Sequence, residues 1–524
     1  MTETFKETHS PDILNCLANL SNDEVFTPPR LVNEMLDLLP QELWSDPNAT
    51  FFDPASKTAV FLREIAKRLL KGLEPQIPDL QKRIDHIFQK QLYGIAITQL
   101  TGLLSRRGLY CTKWPSGRYS VSLFPPEKPQ GNLRFQPTQH TWQNGSCTFC
   151  GASQSEYDRD PGLETHAYEF IHALNPQEIF KMKFDVIIGN PPYQLSTAGA
   201  GQQAKPLYHY FVEQSIKLNP RYLIMITPSR WMAGGMGLSE FRSQMLSDHR
   251  ISRIVDFSLS TDVFPGVDIA GGVSYFLWDR NHSESCLFTY NDGEDISSAK
   301  RRLDEFDIFV RDNRAITIIR KVIAKNEQSV SSLMSSLGPF GLPTSERGIT
   351  KFEDDCYRLI SSGGQSFIPK NKVKTGLQFV DKWNVIIGKA TSAGAATANQ
   401  DGLRKVIATL MLLEPNSVCT FSYFIGGSFT EKSQAINYLN YLSTKFARFL
   451  LLQSISSIDI TKEKFRFVPI QDFSKPWTDE ELYLKYELTP EEINFIESTI
   501  KPMPQDTTEN DVAILEGNDD DDED

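Results

Sequence analysis

The tetrapeptide Asn190-Pro191-Pro192-Tyr193 places an amide, two prolines and an aromatic ring in one short turn. It follows the apolar run FDVII (184–188), which predicts a short buried strand. Neither proline has an N–H to donate, so the strand must end here and the chain must turn out at its carboxyl end, where open α/β sheets bind ligands. The Asn190 side-chain oxygen and the Pro191 carbonyl can each accept one hydrogen of an exocyclic amine and stabilise positive charge on its nitrogen. The alternative interpretation is a plain turn after a strand.

This tetrapeptide resembles the catalytic N-P-P-Y motif of DNA amino-methyltransferases, specifically those that methylate adenine at N6. The resemblance implies that Asn190 and Pro191 hold the N6 amine, with Pro192 in the same catalytic motif. It also implies that Tyr193 offers a ring face to an adenine that is flipped out of the duplex. The methyl donor of this family is S-adenosylmethionine (SAM).

A second motif, EVFTPPRLV (24–32), precedes all the others. Thr27 ahead of Pro28 is typical of a helix N-cap followed by a proline in the first turn. In the family that the sequence resembles, F-T-P is the amino-terminal motif that closes over SAM. Its position ahead of the other motifs is that of the gamma class. The resemblance therefore implies that Phe26 and Thr27 line the cofactor pocket.

The stretch DPASKTAVFL (53–62) leads from a short strand into an amphipathic helix that starts at about residue 58, as in the first βα unit of a nucleotide-binding fold. The corresponding family motif is D-P-A-C-G-S-G-x-F-L, and the resemblance assigns cofactor contacts to the retained residues Asp53, Pro54 and Ala55. Lys57 and Ala59 replace the two glycines, which let the backbone approach the methionine part of the cofactor. We expect the Lys57 charge to replace part of these contacts at the cofactor carboxylate, with weak SAM binding that improves when DNA binds.

Two more stretches concern the cofactor and the target base. QLYGIAIT (91–98) is interpreted as the second strand, and Ala96 stands where the family usually has an acid that binds the ribose hydroxyls. HAYEFIH (166–172) is interpreted as the third strand, in which Glu169 is a candidate contact to the adenine of SAM. The small, polar, glycine-rich stretch 195–205 is expected to be a mobile lid over the target base.

The stretch 111–166 interrupts the expected spacing of strands and contains the C-x-x-C knuckle Cys147-Thr148-Phe149-Cys150-Gly151. This ligand spacing is typical of structural zinc sites. Cys111 and His140 are the expected completing ligands, with His166 in reserve. The alternative is that the knuckle cysteines are unligated in a loop.

Apolar runs that alternate with helical patterns predict an α/β fold with a Rossmann-like, doubly wound sheet. Beyond the tetrapeptide, the predicted strands are 222–226, 251–257, 271–278 and 286–290. The predicted domains are a SAM-dependent methyltransferase domain at 1–295 with a zinc-knuckle insertion at 111–166, a mixed α+β target recognition domain at 296–500, and an acidic disordered tail at 501–524.

Residues 330–425 contain short strands and loops with basic side chains between them, a pattern that can contact phosphates and base edges. The basic residues are Arg347, Lys351, Lys370, Lys372, Lys374, Lys382, Lys389, Arg404 and Lys405. For each of them, a solvated surface position is the alternative. An amphipathic helix is predicted from Glu431 to Gln453, and Thr489-Pro490 predicts the start of a last helix. FVPIQDFSKPWTDEELY (467–483) resembles the end of gamma-class target recognition domains.

The net charge of −12 is concentrated near the carboxyl terminus, where residues 506–524 supply ten acids and no Lys or Arg. The remaining chain is nearly neutral, which permits a basic DNA-binding surface. The sequence has no apolar run of 18 residues and no amino-terminal signal pattern, so neither a membrane span nor secretion is predicted. Seven cysteines in 524 residues do not form a disulfide framework, which favours the reducing cytoplasm.

Together these motifs resemble those of gamma-class, SAM-dependent adenine-N6 DNA methyltransferases from restriction–modification or phage-defence systems. The resemblance implies double-stranded DNA as substrate and a separate restriction nuclease or helicase subunit as a partner to test. One alternative is a non-catalytic DNA-recognition subunit with a degenerate SAM pocket. Lys57, Ala59 and Ala96 favour this alternative, and the intact tetrapeptide opposes it. Methylation of RNA or protein is a third interpretation, over which the large carboxy-terminal domain favours DNA.

Overall fold

The computed structural model describes residues 25–158, 165–195, 204–293, 295–351, 354–390, 402–455 and 459–503. The chain separates into two compact units, residues 1–309 and 310–524. Most of the predicted acidic tail and most of the predicted lid at 195–205 lie outside the described residues. Within the described ranges, no helix is long and apolar enough to cross a membrane.

The first unit is organised around one sheet, to which nine strands of the described residues belong. These strands are β1 (Phe51–Ser56), β2 (Leu92–Ala96), β3 (Leu133–Arg134), β6 (Val186–Gly189), β9 (Tyr222–Pro228), β10 (Ile251–Phe257), β11 (Val273–Asp279), β12 (Cys286–Asn291) and β13 (Ile296–Arg301). Two hairpins lie outside the sheet, namely β4 (Trp142–Gln143) with β5 (Ser146–Cys147), and β7 (Gln194–Leu195) with β8 (Lys205–Pro206).

The strand order is β13-β12-β10-β11-β9-β6-β1-β2-β3. All of these strands run in one direction except β11 and β13, which are antiparallel to their neighbours. The helices of this unit are α1 (Pro29–Leu36), α2 (Val60–Gly72), α3 (Leu80–His86), α4 (Gln99–Tyr110), α5 (Gln154–Tyr157), α6 (Glu169–His172), α7 (Tyr208–Lys217) and α8 (Ser239–Ser247). The predicted α/β class is thereby confirmed.

The central strands form because short apolar runs can be buried on both faces of a parallel sheet. All six residues of β1 and all four of β6 are buried. Helix α2 adds Phe61, Ile65 and Leu69 to the same core. It begins at Val60, two residues after the predicted start.

The prediction of a third strand at 166–172 is wrong. The third strand of the chain is β3, which pairs in parallel with β2 at the edge of the sheet. Residues Glu169–His172 instead form α6, in which the His172 N–H donates to the Tyr168 carbonyl at 3.1 Å. The predicted insertion at 111–166 is therefore not separate from the sheet, because β3 lies within it.

The predicted domain boundary at 295/296 is also wrong, because it divides a hairpin of the sheet. Strands β12 and β13 pair antiparallel, from Cys286 opposite Arg301 to Asn291 opposite Ile296. The first unit accordingly extends to residue 309. The roles assigned to the two domains remain predictions.

The second unit contains two small sheets in its described part. One has the order β15 (Gly364–Pro369), β14 (Cys356–Ser361), β18 (Ser417–Cys419), and the other has the order β17 (Leu410–Leu413), β16 (Trp383–Gly388), β19 (Tyr423–Phe429). Its helices are α9 (Asn313–Ala324), α10 (Leu377–Val380), α11 (Lys432–Ser443), α12 (Lys445–Leu452), α13 (Asp479–Lys485) and α14 (Pro490–Thr499).

Two helix predictions in this unit have different outcomes. The helix predicted from Glu431 to Gln453 is interrupted at Thr444, which has extended backbone angles and caps α12 by accepting from the Ala447 N–H. The last helix begins at Pro490, as predicted, and Thr489 caps it in a capping box with Glu492.

Candidate active site

The carboxyl ends of β1 and β6 lie side by side at the point where the sheet changes its direction of growth. From β1 the chain continues to β2 and β3 on one side, and it then crosses to β6 on the other side of β1. Such a switch point opens a crevice in which α/β proteins bind ligands. Asp53, within β1, and Asn190, directly after β6, line one cavity at this place.

Asn190 is almost completely buried, with 2% exposure. Its Nδ2 donates to the Val25 carbonyl and to the Thr27 hydroxyl, both at 3.1 Å. A carbonyl can only accept, so the bond to Val25 fixes the orientation of the amide. The opposite atom, Oδ1, is buried and receives no hydrogen bond from the described residues. Leaving a buried acceptor unpaired costs about 1–3 kcal/mol, so a ligand N–H would be favourable here.

The Thr27 side chain does not act as the predicted helix cap. Helix α1 begins at Pro29 with Pro28 as its N-cap residue, and no side chain of the described residues caps it. The Thr27 hydroxyl instead supports Asn190, 163 residues further along the chain. The F-T-P segment therefore orients the amide of the tetrapeptide.

The rest of the tetrapeptide is also buried. The Tyr193 ring lies nearly perpendicular to the Tyr208 ring, with an angle of 85° and centroids 6.5 Å apart. Burial raises the pKa of the Tyr193 hydroxyl. The Tyr193 carbonyl accepts from the Leu207 N–H at 2.9 Å, which ties the tetrapeptide to the segment that leads into α7.

Five of the seven residues that were predicted to bind the cofactor line the same cavity as Asn190, namely Phe26, Thr27, Asp53, Ala55 and Lys57. Pro54 lies beside them, with its Cδ 3.6 Å from the place that a Cβ on Gly189 would take. Glu169 lies elsewhere: it forms an ion pair with Arg134 of β3 at 2.7 Å. Burial raises the pKa of Glu169, although the Arg134 charge opposes this shift.

The Lys57 side chain points into the protein. The residue is 7% exposed, and its Nζ donates to the Val25 carbonyl at 2.9 Å. Val25 therefore accepts from both Lys57 and Asn190. The space that remains among the lining residues is about 10 Å³, enough for about one water molecule.

The turn between β1 and α2 has a left-handed residue where the family motif has its second glycine. Ala59 has a φ of +56°, in the left-handed region that glycine favours. The Asp53 carboxylate accepts from the Ala55 N–H at 3.1 Å. Burial raises the pKa of Asp53 to about 7, while this hydrogen bond and the Lys57 charge act in the opposite direction.

A second cluster of functional side chains lies in the same unit. His140, Cys147, Cys150 and His172 place their ligand atoms within 4.8 Å of one another. Cys150 Sγ is 3.4 Å from His140 Nδ1, and Cys147 Sγ is 3.6 Å from His172 Nε2. Burial lowers the pKa of His172 to about 4 and raises that of Cys150 to about 12.

The other ring nitrogen of each histidine faces a backbone carbonyl. His140 Nε2 lies 2.7 Å from the Thr165 oxygen, and His172 Nδ1 lies 2.8 Å from the Tyr168 oxygen. Since a carbonyl only accepts, these contacts place the ring protons there and leave His140 Nδ1 and His172 Nε2 as lone pairs facing the thiols. Metal-binding histidines are oriented in this way.

The structure brings together three of the four predicted ligands, His140, Cys147 and Cys150, and leaves the fourth, Cys111, apart from them. Cys111 is exposed at the carboxyl end of α4 and lies outside the cluster. His172 takes the fourth position, because the segment interpreted as a strand is a helical turn that directs its ring toward Cys147. The reserve candidate, His166, packs against the Tyr157 ring. His172 could have been considered from the sequence, because it is a histidine that follows the C-x-x-C knuckle. The role of the Val25 backbone carbonyl could not, because a backbone group leaves no signal in the residue types.

Comparison with known proteins agrees with this geometry. The sequence model of the Eco57I restriction-modification methylase family matches residues 90–264. An uncharacterized adenine-specific methylase of Mycoplasma pneumoniae is 37% identical over 351 residues, which cover 60% of this chain and 82% of that protein. The chain belongs to the adenine-specific methylases of the restriction–modification type.

Solved structures resemble this methylase at lower identity. The Type IIL restriction-modification enzyme MmeI, in complex with DNA, has a TM-score of 0.42 at 12% identity, over 87% of this chain and 64% of that one. A modification subunit of a putative type I restriction enzyme from Vibrio vulnificus has a TM-score of 0.33 at 14% identity, over 53% of this chain. The alignment spans about half the length of that subunit, 50%.

Membership of this methylase family implies SAM as the methyl donor. The residues of the candidate pocket do not fit this cofactor as they stand, because Lys57 and its neighbours leave a space of about 10 Å³. Ala96, which lacks a side-chain acceptor, ends β2 where the family usually presents an acid to the ribose. Because Lys57 is one of the residues that line this space, we expect its side chain to move when SAM binds.

Proposed function

We propose that this methylase transfers a methyl group from SAM to the N6 amine of adenine at a specific sequence in double-stranded DNA. The observation that carries the proposal is the buried, unpaired Oδ1 of Asn190. Asn190 lies at the carboxyl end of β6, and the two hydrogen bonds that its Nδ2 donates hold the orientation of the amide. An adenine amine is a donor of the required kind.

The residues of the chain would act on the amine by position and charge. Asn190 Oδ1 accepts one N6 hydrogen, and the Pro191 carbonyl accepts the other. Two acceptors draw the nitrogen toward tetrahedral geometry and stabilise positive charge that develops on it. Thr27 and the Val25 carbonyl keep Oδ1 in place before the base arrives, so no reorganisation is needed. SAM, when bound, supplies the electrophilic methyl group.

The test is methyl transfer from isotopically labelled SAM to mixed-sequence duplex DNA, followed by mass spectrometry of the nucleosides. We expect labelled N6-methyladenine with the wild-type chain and a loss on the order of 10²-fold or more with Asn190→Ala. Label in cytosine would contradict the proposed target base, and transfer to RNA or protein substrates but not to duplex DNA in parallel reactions would contradict DNA as the substrate. Near-normal turnover by Asn190→Ala would contradict the role of Asn190.

The second unit is proposed to recognise the target sequence. Several of the basic residues predicted to contact DNA lie in its described part, for example Lys370, Lys372 and Lys389, and each of these three pairs weakly with an acid at 3.8–4.0 Å. Such long pairs are at least partly exposed, so these lysines could exchange their acids for phosphates at little cost. Binding to DNA should therefore weaken as salt rises, in proportion to the number of phosphates contacted. A restriction nuclease or helicase subunit is the proposed partner, and the cytoplasm is the proposed location.

One observation favours a second function, a DNA-recognition subunit that does not methylate. Lys57 lines the small candidate cavity and bonds to the Val25 carbonyl, and Ala96 would offer the ribose no side-chain acceptor. Calorimetry with S-adenosylhomocysteine, with and without DNA, separates the two functions. Absence of binding in both conditions, together with sequence-specific DNA binding, would establish the second function.

We also propose that the His140–Cys147–Cys150–His172 cluster, named here the knuckle cluster, binds structural zinc. With Zn–S near 2.3 Å and Zn–N near 2.0–2.1 Å, a tetrahedral ion separates S and N ligands by about 3.5 Å. The two S···N distances given above, 3.4 and 3.6 Å, agree with this value. Metal analysis should find about one zinc per chain, lost in His172→Ala and retained in Cys111→Ser. Zinc retained in His172→Ala would reject this ligand set.

A further inference from the structure

The knuckle cluster lies next to the segment that follows Asn190–Tyr193. Lys205, in strand β8, donates from Nζ to the Gly151 carbonyl at 2.7 Å. Gly151 directly follows the ligand Cys150 and turns with a φ of +69°. This carbonyl is therefore positioned by the fold of the knuckle.

A second connection reaches the helix that carries His172. Gln214, in α7, donates from Nε2 to the Ala173 carbonyl at 2.8 Å and to the Phe170 carbonyl at 3.3 Å. Phe211 of the same helix packs against the Phe170 ring at a centroid distance of 6.0 Å. Helix α7 thus rests on α6, whose last residue, His172, belongs to the cluster.

The tetrapeptide depends on these same elements. Strands β7 and β8 pair only at Gln194 opposite Pro206 and at Leu195 opposite Lys205 within the described residues. Next to this ladder, the Leu207 N–H donates to the Tyr193 carbonyl. An isolated hairpin of this length is at best marginally stable in water, so its position depends on outside contacts.

We propose that metal binding at the knuckle cluster positions the base-binding tetrapeptide. The cluster is then a positioning site for catalysis, in addition to a local structural site. The inference rests on the proposed zinc site and on the proposed role of Asn190–Tyr193. Metal binding supplies folding free energy to the knuckle. The hydrogen bonds of Lys205 and Gln214 to backbone carbonyls of the knuckle and of the α6 segment then fix the positions of β8 and α7.

Loss of the metal should have graded effects. Without the ion, the two thiols and the two ring nitrogens that face them have only one another as partners, so we expect the knuckle to open locally and the Gly151 carbonyl to release Lys205. The knuckle cysteines belong to the same hydrophobic core as the sheet, but β1 and β6 are buried along their whole length, so we expect these central strands to stay folded. The cofactor cavity at β1 should change less than the β7–β8 hairpin, because the hairpin is hydrogen-bonded to the knuckle through Lys205.

The experiment measures amide hydrogen exchange by mass spectrometry on peptides covering 204–217, together with turnover, in the full chain. In Cys147→Ser/Cys150→Ser we expect loss of zinc, faster exchange at the Leu207 amide and a fall in turnover of tenfold or more, with unchanged protection in β1 and β6. Cys111→Ser, a matched change outside the cluster, should behave as wild type. Unchanged exchange and unchanged turnover in the metal-free double variant would overturn the proposal.

Lys205→Met tests the connection itself if the double variant fails to fold. It should keep its zinc, increase exchange at Leu207, and lower turnover by up to about tenfold, as expected for loss of one hydrogen bond from a charged donor. Lys67→Met, which removes a lysine paired with Glu64, is the matched control and should show none of these changes. Wild-type behaviour of Lys205→Met would contradict the proposal.

The outcomes separate this inference from the proposed function. Zinc-dependent protection of Leu207 in a chain that never methylates DNA would support the positioning contact and reject the methyl transfer. Full methylation by a metal-free chain with normal exchange at Leu207 would support the methyl transfer and reject the positioning contact.

Discussion

Replacing Asn190 by alanine should remove catalysis with little effect on stability. The substitution deletes two hydrogen bonds from Nδ2, each worth about 1 kcal/mol. It also deletes the unpaired Oδ1, whose burial costs about 1–3 kcal/mol. The Val25 carbonyl keeps its bond from Lys57 and is not left unpaired. These contributions nearly cancel, so we expect the free energy of unfolding to stay within about 1 kcal/mol of wild type.

Asn384 provides a matched control in the second unit. It is also fully buried, donates from Nδ2 to two backbone carbonyls, of Phe379 and Lys382, and has a buried Oδ1 without a hydrogen-bond partner in the described residues. Asn384→Ala therefore loses the same set of interactions. We expect a similar small change in stability and no change in turnover.

The assay compares urea unfolding midpoints with single-turnover methylation for both variants. The expected result is a loss on the order of 10²-fold or more in turnover for Asn190→Ala alone. A destabilisation above about 3 kcal/mol for Asn190→Ala would show that the amide is held for packing, and the reasoning would be refuted. Equal losses of turnover in the two variants would refute it as well.

The supporting hydroxyl gives a graded version of the same test. Thr27→Val removes one of the two acceptors for Asn190 Nδ2 and leaves Oδ1 in place. A neutral hydrogen bond of about 1 kcal/mol corresponds to roughly fivefold in rate if its loss is felt only in orientation. Thr27→Ser should restore the lost turnover, since it keeps the hydroxyl. If Thr27→Ser does not restore turnover, the effect of the substitutions comes from the Thr27 side-chain methyl group and not from its hydroxyl.

Three further predictions concern the cofactor cavity. Lys57→Gly should raise the affinity for S-adenosylhomocysteine at least tenfold. Lys57→Met, which keeps the bulk of the side chain without its charge, should raise this affinity less. Equal affinities of wild type and Lys57→Gly in calorimetry would contradict the view that this side chain blocks the pocket. The raised pKa of Asp53 means that the native state holds its proton more tightly than the unfolded state, so the wild type loses stability as pH rises from about 4 to about 7. Asp53→Asn should therefore stabilise the chain at pH 8 and much less at pH 5, and a pH-independent change in urea unfolding would refute this. Gly189→Ala would place a Cβ 3.0 Å from Asp53 Oδ1, so we expect about 1–3 kcal/mol of destabilisation and lower turnover, and a wild-type unfolding curve would show that the carboxylate can move freely.

The sequence alone was sufficient for the element at the centre of the site. A run of apolar residues followed by two prolines determines where β6 ends, because burial and the missing N–H groups are properties of that segment itself. The first and second strands and the cap at Thr489 are local in the same sense. The third strand was misplaced because β3 is only two residues long and has almost no pattern to detect.

What the sequence could not decide is which distant groups meet. Cys147 and His172 are 25 residues apart and Asn190 and Val25 are 165 apart, and no periodicity relates such positions. Cys111 was predicted from the sequence as a ligand, and His172 was not considered; the turn of α6 directs the His172 ring toward the thiols, whereas Cys111 is exposed at the end of α4.

The sequence by itself determined the α/β fold and the tetrapeptide with its chemistry, since these follow from local apolar patterning and from the functional groups present. Only the tertiary structure decided that the Thr27 hydroxyl supports the Asn190 amide, that His172 completes the knuckle cluster, and that Lys57 turns inward to the Val25 carbonyl. Each of these depends on a hydrogen bond or a ligand distance of a few ångströms between segments that only the packed sheet brings together.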